Sequence, residues 1–233
     1  MSSCPTQTPR AILWDLDGTL YLQPPLRRRM LLELTKNATR RWPGSTLRDL
    51  RWLAVFREVR EELRALGQAQ GPLERVQFEE PAARLAVPVE PLEALVREWM
   101  WERPLPFLAR HVRPGMVSLL RTLRDRGVAM GVYSDYPVTK KLEAMGLAEF
   151  FPVQVAATDK DVNAFKPHPR GFEVAAQKLG VAPADVFFIG DRMDVDGLGA
   201  MAAGQSYCIL GGDPEAACQA RDVRELAEVL HVG

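Results

Sequence analysis

Short apolar runs alternate with helix-patterned segments through the second half of the chain, and this alternation limits the fold more than any other feature. The apolar runs predict buried strands at residues 128–134, 153–157, 186–189 and 206–210. A helix-patterned segment lies between most consecutive runs, and several of these segments end at a glycine suited to a helix C-terminus. Strands and helices that alternate in this way form a parallel sheet covered by helices on both faces. The sequence therefore predicts an α/β fold with a doubly wound parallel sheet.

The first predicted strand is separated from the others by a long segment of different character. Residues 11–14 form an apolar run, whereas residues 22–111 show helical spacing of apolar residues and no strand pattern. We therefore expect an α/β core made of residues 1–21 and 112–233. The all-helical segment, residues 22–111, is inserted after the first strand.

The composition is that of an ordinary globular protein. The 233 residues are 47% hydrophobic and 26% charged, and 30 basic residues balance 30 acidic ones. Because the formal net charge is zero, the chain lacks the basic field that favours nucleic-acid binding. No apolar run approaches the length of a membrane span, and residues 1–10 lack the apolar core of a signal peptide. We expect a protein without nucleic-acid or membrane partners.

The three cysteines, Cys4, Cys208 and Cys218, are odd in number and widely spaced. This spacing fits neither a disulfide framework nor a Cys-x-x-Cys zinc pair. We therefore expect no disulfide framework, a reducing compartment and a cytoplasmic location.

Acidic side chains follow three of the predicted strands. Asp15 and Asp17 come directly after the first run. Asp135 follows the second run, and Asp191, Asp194 and Asp196 follow the fourth. The carboxyl ends of parallel strands form one crevice, so these carboxylates are expected to converge there. Each close pair would repel by roughly 1 kcal/mol in water and about 4 kcal/mol at an intermediate dielectric, so the cluster requires a cation, and oxygen ligands favour Mg²⁺.

The segment Asp15-Leu16-Asp17-Gly18 has a chemistry of its own. Residues two apart lie on one side of an extended chain, so both carboxylates face the same place. One carboxylate is able to attack an electrophile while the other transfers a proton, and Gly18 lets the backbone turn sharply beyond them. A plain Asp-Gly turn is the alternative. A Ca²⁺ loop is excluded because Leu13 stands where an EF-hand needs an acid.

Four separated motifs lie at or near the ends of the predicted strands. They are Asp15-Leu16-Asp17-Gly18-Thr19-Leu20, Gly131-Val132-Tyr133-Ser134-Asp135, Phe165-Lys166-Pro167-His168-Pro169, and Ile189-Gly190-Asp191 through Asp196. In this order they resemble the four motifs of the haloacid dehalogenase (HAD) superfamily, whose most common members are Mg²⁺-dependent phosphatases. The helical segment at residues 22–111 falls where that superfamily inserts its helical C1 cap. The resemblance implies a HAD-like core with an inserted helical cap.

The resemblance also implies a role for each site residue. Asp15 would be the nucleophile that forms an aspartyl-phosphate, and Asp17 the general acid and base. Ser134 would bind the phosphoryl group, with help from the main-chain N–H of Asp135. Lys166 would neutralise charge on the nucleophile and on the phosphoryl group.

The metal site is implied in the same way. Mg²⁺ would be held by Asp15, the main-chain carbonyl of Asp17, and Asp191. Behind these ligands, Asp196 would orient the active-site lysine or a bound water. The spacing leaves Asp194 as the alternative for this last position.

The expected activity is hydrolysis of a small phosphorylated metabolite, such as phosphoglycolate or a sugar phosphate, under a cap that excludes water. A phosphomutase with the same motifs is one alternative. A haloacid dehalogenase is another, but those relatives replace the second acid of the first motif, and Asp17 is present here. A non-catalytic phosphate-binding scaffold is the third, and the loss of Asp15, Asp17 or Lys166 would have indicated it. The oligomeric state stays open.

Overall fold

A parallel sheet forms the centre of the molecule. The computed structural model describes residues 4–40, 43–67 and 70–233. The strands lie in the order β3-β2-β1-β4-β5-β6, and every pair is parallel. They are β1 (Ala11–Trp14), β2 (Ala129–Ser134), β3 (Val153–Ala156), β4 (Val186–Gly190), β5 (Ser206–Leu210) and β6 (Gln219–Ala220). The predicted α/β fold is confirmed, and the two-residue β6 is an addition to it.

From residue 22 to residue 111, the regular elements of the described chain are all helical. Its elements are α1 (Gln23–Arg40), α2 (Pro43–Leu66), α3 (Leu73–Leu85), α4 (Val89–Val96), a π-helical turn (Arg97–Glu102), α5 (Leu105–Leu108) and a 3-10 turn (Ala109–His111). We call this stretch the helical insertion. Residues 41, 42, 68 and 69 of the segment predicted to be helical lie outside the described residues.

Of the remaining helices, one precedes β2 and the others each follow a strand of the sheet. They are α6 (Met116–Asp125), α7 (Thr139–Met145), α8 (Arg170–Leu179), α9 (Leu198–Ala202) and α10 (Val223–Val229). A π-helical turn, Met193–Gly197, leads into α9. Helices α7, α8 and α9 lie in the helix-patterned segments predicted between consecutive strands, and α9 begins as this turn.

Each face of the sheet has its own apolar core. Along β1, Ile12 and Trp14 pack on one face, and Ala11 and Leu13 pack on the other. All of them are fully buried because helices cover both faces. This double burial explains why β1 is a continuous apolar run rather than an alternating pattern.

The helical insertion has a third apolar core and also rests on the sheet. Its own core contains side chains of α2, α3, α4 and the first π-helical turn, among them Leu53, Phe56, Phe78, Val96 and Trp99. On the side of α2 that faces the sheet, Val59 and Leu63 join one of the two sheet cores. The chain enters and leaves the insertion side by side, at an antiparallel bridge between Tyr21 and Val112.

Cys4 and Cys218 form a disulfide, so the expectation of no disulfide was wrong. The two cysteines are separated by 214 positions, but their Cα atoms lie 5.0 Å apart. The N-terminal segment packs against the end of the chain, where the Thr8 hydroxyl donates to the Leu230 carbonyl at 2.9 Å. Spacing in the sequence does not report such proximity. The cysteine count therefore gives no support to the expected reducing, cytoplasmic location.

None of the helices among the described residues is long and apolar enough to cross a membrane.

Thiol counting tests the disulfide directly. Cys208 is a buried free thiol, and burial raises its pKa to about 12. Because the reactive thiolate is then scarce in the folded state, we expect Ellman's reagent to detect no thiol in native, unreduced protein. It should detect one thiol after unfolding without reductant, and three after reduction and unfolding. Three thiols in unfolded, unreduced protein would contradict the Cys4–Cys218 bond.

Candidate active site

The predicted site residues lie at the carboxyl edge of the sheet, where the strand order reverses. The chain runs outward from β1 through β2 to β3, and then returns to place β4 on the other side of β1. Loops that leave β1 and β4 therefore diverge, and the gap between them is a crevice. Asp15 follows β1 and Asp191 follows β4, and the Asp15 N–H donates to the Ile189 carbonyl at 2.8 Å.

Lys166 lies at the centre of this crevice. Its Nζ donates to Asp15 Oδ1 at 2.5 Å and to Asp196 Oδ1 at 2.7 Å. Only 2% of the residue is exposed. Burial by itself would lower the pKa of the Lys166 ammonium, but the charges of Asp15, Asp196 and Asp135 raise it well above its ordinary value. The ammonium is therefore charged at neutral pH and is shared between two carboxylates.

Three carboxylates surround this ammonium. Asp15, Asp191 and Asp196 each place one oxygen within 4.8 Å of the others. Burial and the neighbouring carboxylates raise the pKa of Asp15 well above its ordinary value, although Lys166 opposes the shift. Burial and the charge of Asp196 raise the pKa of Asp191 to about 6. The site thus carries more negative charge than one ammonium neutralises.

A hard divalent cation fits this donor set. The donors are carboxylate oxygens only, and Mg²⁺ prefers such ligands. The group contains the carboxylates of the two predicted ligands Asp15 and Asp191, together with Asp196, which was predicted to lie behind them. The prediction for Asp17 concerned its main-chain carbonyl, and that stays a prediction.

Two glycines give the carboxylates room. A Cβ atom at Gly18 would lie 2.0 Å from Asp191 Oδ2, and the φ of +109° is itself unfavourable for a side chain. A Cβ atom at Gly190 would lie 2.4 Å from the Cβ of Asp196. The guanidinium of Arg113 donates to the Gly18 carbonyl at 2.6 Å and so holds this loop. A larger residue at Gly18 or Gly190 would therefore collide with a carboxylate residue of the site, which explains why glycine occupies these positions of the first and fourth motifs.

Asp196, and not Asp194, reaches the active-site lysine. Asp196 is buried, and its Oδ2 accepts hydrogen bonds from the N–H groups of Asp191 and Arg192, each at 3.1 Å. Asp194 is exposed and pairs with Arg192 at 2.6 Å. The π-helical turn turns these two acids in different directions, which resolves the alternative that the spacing left open.

The Asp17 carboxylate has a separate set of partners. Lys141 Nζ donates to Asp17 Oδ1 at 2.5 Å and to Oδ2 at 2.8 Å. Ser134 Oγ donates to Oδ2 at 3.2 Å, and the Tyr21 hydroxyl donates to Oδ1. Burial alone would raise the pKa of Asp17, but the charge of Lys141 and these hydrogen bonds lower it below its ordinary value. The carboxylate is held ionised and in one orientation.

The haloacid dehalogenase-like hydrolase family matches residues 9–204 of the chain. The chain belongs to this family. Its curated relatives include a glyceraldehyde 3-phosphate phosphatase from Methanopyrus kandleri, 29% identical over 200 residues that cover 84% of this chain and 81% of that protein. A phosphoglycolate phosphatase from Escherichia coli is 28% identical over 204 residues that cover 84% of this chain and 78% of that protein.

A solved structure of a HAD-family hydrolase shows the same fold. YfnB from Bacillus subtilis, described as bound to magnesium, superposes with a TM-score of 0.66 at 17% sequence identity. The superposition covers 97% of this chain and all of that chain (100%). The predicted membership of the HAD superfamily, the HAD-like core and the enzyme class are confirmed.

Two residues of this HAD-family hydrolase that contact Asp17 were not predicted. Lys141 and Tyr21 are 6% and 4% exposed. A lysine on a helix is normally read as a surface residue. A signal was nevertheless present, because Lys141 stands between Val138 and Leu142 in the apolar stripe of α7, at positions spaced three and four apart.

The Ser134–Asp135 pair ends β2 beside the lysine. Besides its bond to Asp17, Ser134 Oγ accepts the N–H of Tyr136 at 3.1 Å. The Asp135 carboxylate is bonded within the protein, since Oδ1 accepts the N–H of Lys166 at 3.0 Å. Phosphate binding by Ser134 and by the main-chain N–H of Asp135 stays a prediction.

Proposed function

We propose that this HAD-family hydrolase is a phosphatase that cleaves small phosphate monoesters through an aspartyl-phosphate, with Mg²⁺ as its cofactor. The observation that carries the proposal is the position of Asp15. Its buried carboxylate contacts Lys166 at 2.5 Å and lies within 4.8 Å of two further carboxylates. The phosphatase names of the relatives from M. kandleri and E. coli support the same reaction class and a small substrate.

In the first step, an Asp15 carboxylate oxygen attacks phosphorus, and the bond from phosphorus to the leaving oxygen breaks. Asp17 gives a proton to that oxygen, and later takes a proton from the water that hydrolyses the aspartyl-phosphate. The negative charge of the phosphate dianion offsets the charge of Lys141, so substrate binding raises the pKa of Asp17 and favours its protonated form. The bonds from Lys141, Tyr21 and Ser134 keep the carboxylate aimed during both transfers.

The Lys166 ammonium neutralises negative charge at the phosphoryl group. The ammonium lies between Asp15 and Asp196, so it remains next to the nucleophile throughout the reaction. Asp15 and Asp191, with Asp196 behind them, would hold Mg²⁺, which when bound supplies further charge stabilisation.

We also propose that the helical insertion is the cap. Residues 1–21 and 112–233 would then form the catalytic core, and residues 22–111 would close over it. The contact of Val59 and Leu63 with a sheet core supports this assignment. A closed cap excludes water and limits the size of the leaving group.

The hydrolysis of p-nitrophenyl phosphate tests the proposal. We expect turnover with Mg²⁺, a loss of about tenfold or more with EDTA, and recovery when Mg²⁺ is added in excess. Phosphate release should also be measured with glyceraldehyde 3-phosphate, phosphoglycolate and sugar phosphates. Isomerised sugar phosphate without free phosphate would indicate a phosphomutase. A folded wild type that releases phosphate from none of these compounds would contradict the phosphatase assignment.

The Lys141→Met substitution tests whether the charge of Lys141 lowers the pKa of Asp17. Without the neighbouring charge, the pKa of Asp17 rises, so the limb of the pH profile that reports this residue should move to higher pH. The profiles of kcat and kcat/KM should be measured with p-nitrophenyl phosphate and with an alkyl phosphate that the wild type hydrolyses. Lys140→Met, a change at the exposed neighbour, is the matched control. Identical profiles for all three proteins would show that Lys141 does not tune Asp17.

A further inference from the structure

Two arginines of α2 reach from the helical insertion to the core beside the active-site lysine. Arg60 is 2% exposed, and the side chain of Arg64 is 13% exposed. Both arginines donate to main-chain carbonyls of the core. Arg60 donates to a carbonyl of the second motif, and Arg64 donates to a carbonyl of the third. The insertion is therefore bonded to the backbone that carries site residues.

Arg64 holds the peptide unit of Lys166 together with Asp135. Arg64 Nη1 donates to the Lys166 carbonyl at 3.0 Å and pairs with Asp135 Oδ2 at 3.0 Å. Asp135 Oδ1 in turn accepts the Lys166 N–H at 3.0 Å. The carbonyl of Lys166 therefore accepts a hydrogen bond from Arg64 of the insertion, and its N–H donates to Asp135, the carboxylate that pairs with Arg64.

Arg60 contacts the same two loops, which contain Asp135 and Lys166. Its Nη2 donates to the Asp135 carbonyl at 3.0 Å, and its Nη1 donates to Gln77 Oε1 of α3 at 2.6 Å. The guanidinium lies 4.2 Å from the ring centroids of both Tyr136 and Phe165. These two residues directly follow Asp135 and directly precede the lysine, so the stacking contacts clamp both loops.

A contact that only attached the insertion to the core would not need to involve the peptide unit of Lys166. Lys166 Nζ lies 2.5 Å from Asp15, and a small displacement of the lysine backbone changes that distance directly. Arg84 gives the contrast, because it pairs with Glu62 at 2.6 Å inside the insertion. That pair joins α3 to α2 and is exposed.

We propose that Arg64 is a positioning residue that places Lys166 against the nucleophile when the insertion lies on the core. The proposal rests on the proposed phosphatase function. It means that enclosing the substrate and completing the catalytic site are one event, because the guanidinium that holds the lysine belongs to the enclosing element. Arg60 supports the same placement by clamping the flanking residues.

The first test separates kcat from KM in Arg64→Gln with p-nitrophenyl phosphate and saturating Mg²⁺. We expect kcat to fall about 10-fold to 100-fold, since misplacement of a catalytic group costs that much. KM should change less than about threefold, because the lysine acts mainly in the transition state. Arg64→Lys, which keeps the charge, should recover part of kcat. Arg84→Gln, the matched control in the same insertion, should stay within about twofold of wild type.

A mutant cycle with Lys166→Met distinguishes positioning from adhesion. If Arg64 acts through the lysine, Arg64→Gln has no further effect on kcat once the lysine is absent. An equal loss in both backgrounds, a loss confined to KM, or wild-type kcat in Arg64→Gln would overturn the proposal. Arg64→Gln removes the ion-pair partner of the buried Asp135 carboxylate, so the Arg64→Gln/Asp135→Asn double variant should be measured as well if the single variant does not fold.

Amide hydrogen exchange gives a readout that does not depend on turnover. The N–H of Lys166 should exchange at least about tenfold faster in Arg64→Gln than in wild type, and at the wild-type rate in Arg84→Gln. An unchanged rate overturns the positioning role even if the enzyme is active. Faster exchange in Arg64→Gln, together with a wild type that shows no phosphatase activity, would uphold the contact and reject the proposed reaction instead.

Discussion

Asp15→Asn should lower the hydrolysis of p-nitrophenyl phosphate by roughly 10³-fold or more, the size of effect seen when a covalent nucleophile is removed. The amide has nearly the same shape as the carboxylate, so the fold and the contact with Lys166 should be retained. It is a far weaker nucleophile, so the aspartyl-phosphate does not form. The substitution also removes one of the three carboxylates proposed to lie around the metal.

The matched control is Asp194→Asn. Asp194 is an exposed acid of the fourth motif that pairs with Arg192 on the surface, so we expect near wild-type kcat. Intact mass should be measured on freshly purified protein, because deamidation would restore the acid. Turnover that survives in Asp15→Asn free of deamidation would mean that another group is the nucleophile.

Lys166→Met should lower kcat by about 10² to 10³-fold, the usual loss for one group that stabilises transition-state charge. The ammonium contacts Asp15 and Asp196, and the variant leaves both carboxylates buried without it. Removing one partner of a buried ion pair typically costs about 3–5 kcal/mol of unfolding free energy. We therefore expect the metal-free variant to unfold at a lower temperature, and Mg²⁺ to recover part of the loss.

Lys178→Met is the control for this variant. Lys178 forms a surface pair with Asp161 at 3.0 Å, so neither kcat nor the unfolding temperature should change by much. The measurements are steady-state kinetics and thermal unfolding, each with EDTA and with Mg²⁺. A Lys166→Met protein with wild-type kcat would remove the lysine from the proposed mechanism.

The α/β core could be predicted because its signals are local. A strand buried on both faces must be a continuous apolar run, and Ala11–Trp14 is one. Once the strands are parallel, residues that follow them share one edge, so Asp15 and Asp191 had to meet. The position of Lys166 among these acids was implied only by the family resemblance, and the roles proposed for all of these residues await the experiments above.

The contacts around Asp17 could not be predicted in the same way. Whether the charge of Lys141 meets solvent or a carboxylate depends on how α7 rests against the first motif, which involves residues 124 positions apart. The disulfide between Cys4 and Cys218 depends likewise on packing between the two ends of the chain. Neither relation leaves a spacing pattern that can be read from one sequence.

The sequence by itself therefore determined the five longer strands, the helices between them and the acids that the sheet brings to one edge, because periodicity and chain direction dictate them. The lysine was assigned to the same edge only through the family resemblance. Only the tertiary structure decided the orientation of these groups and their long-range partners. It directed Asp196 rather than Asp194 to the lysine, and it placed Arg64 of the insertion on the Lys166 peptide. Such contacts arise from the packing of whole elements, whose energy is distributed over many side chains and is not encoded at any single position.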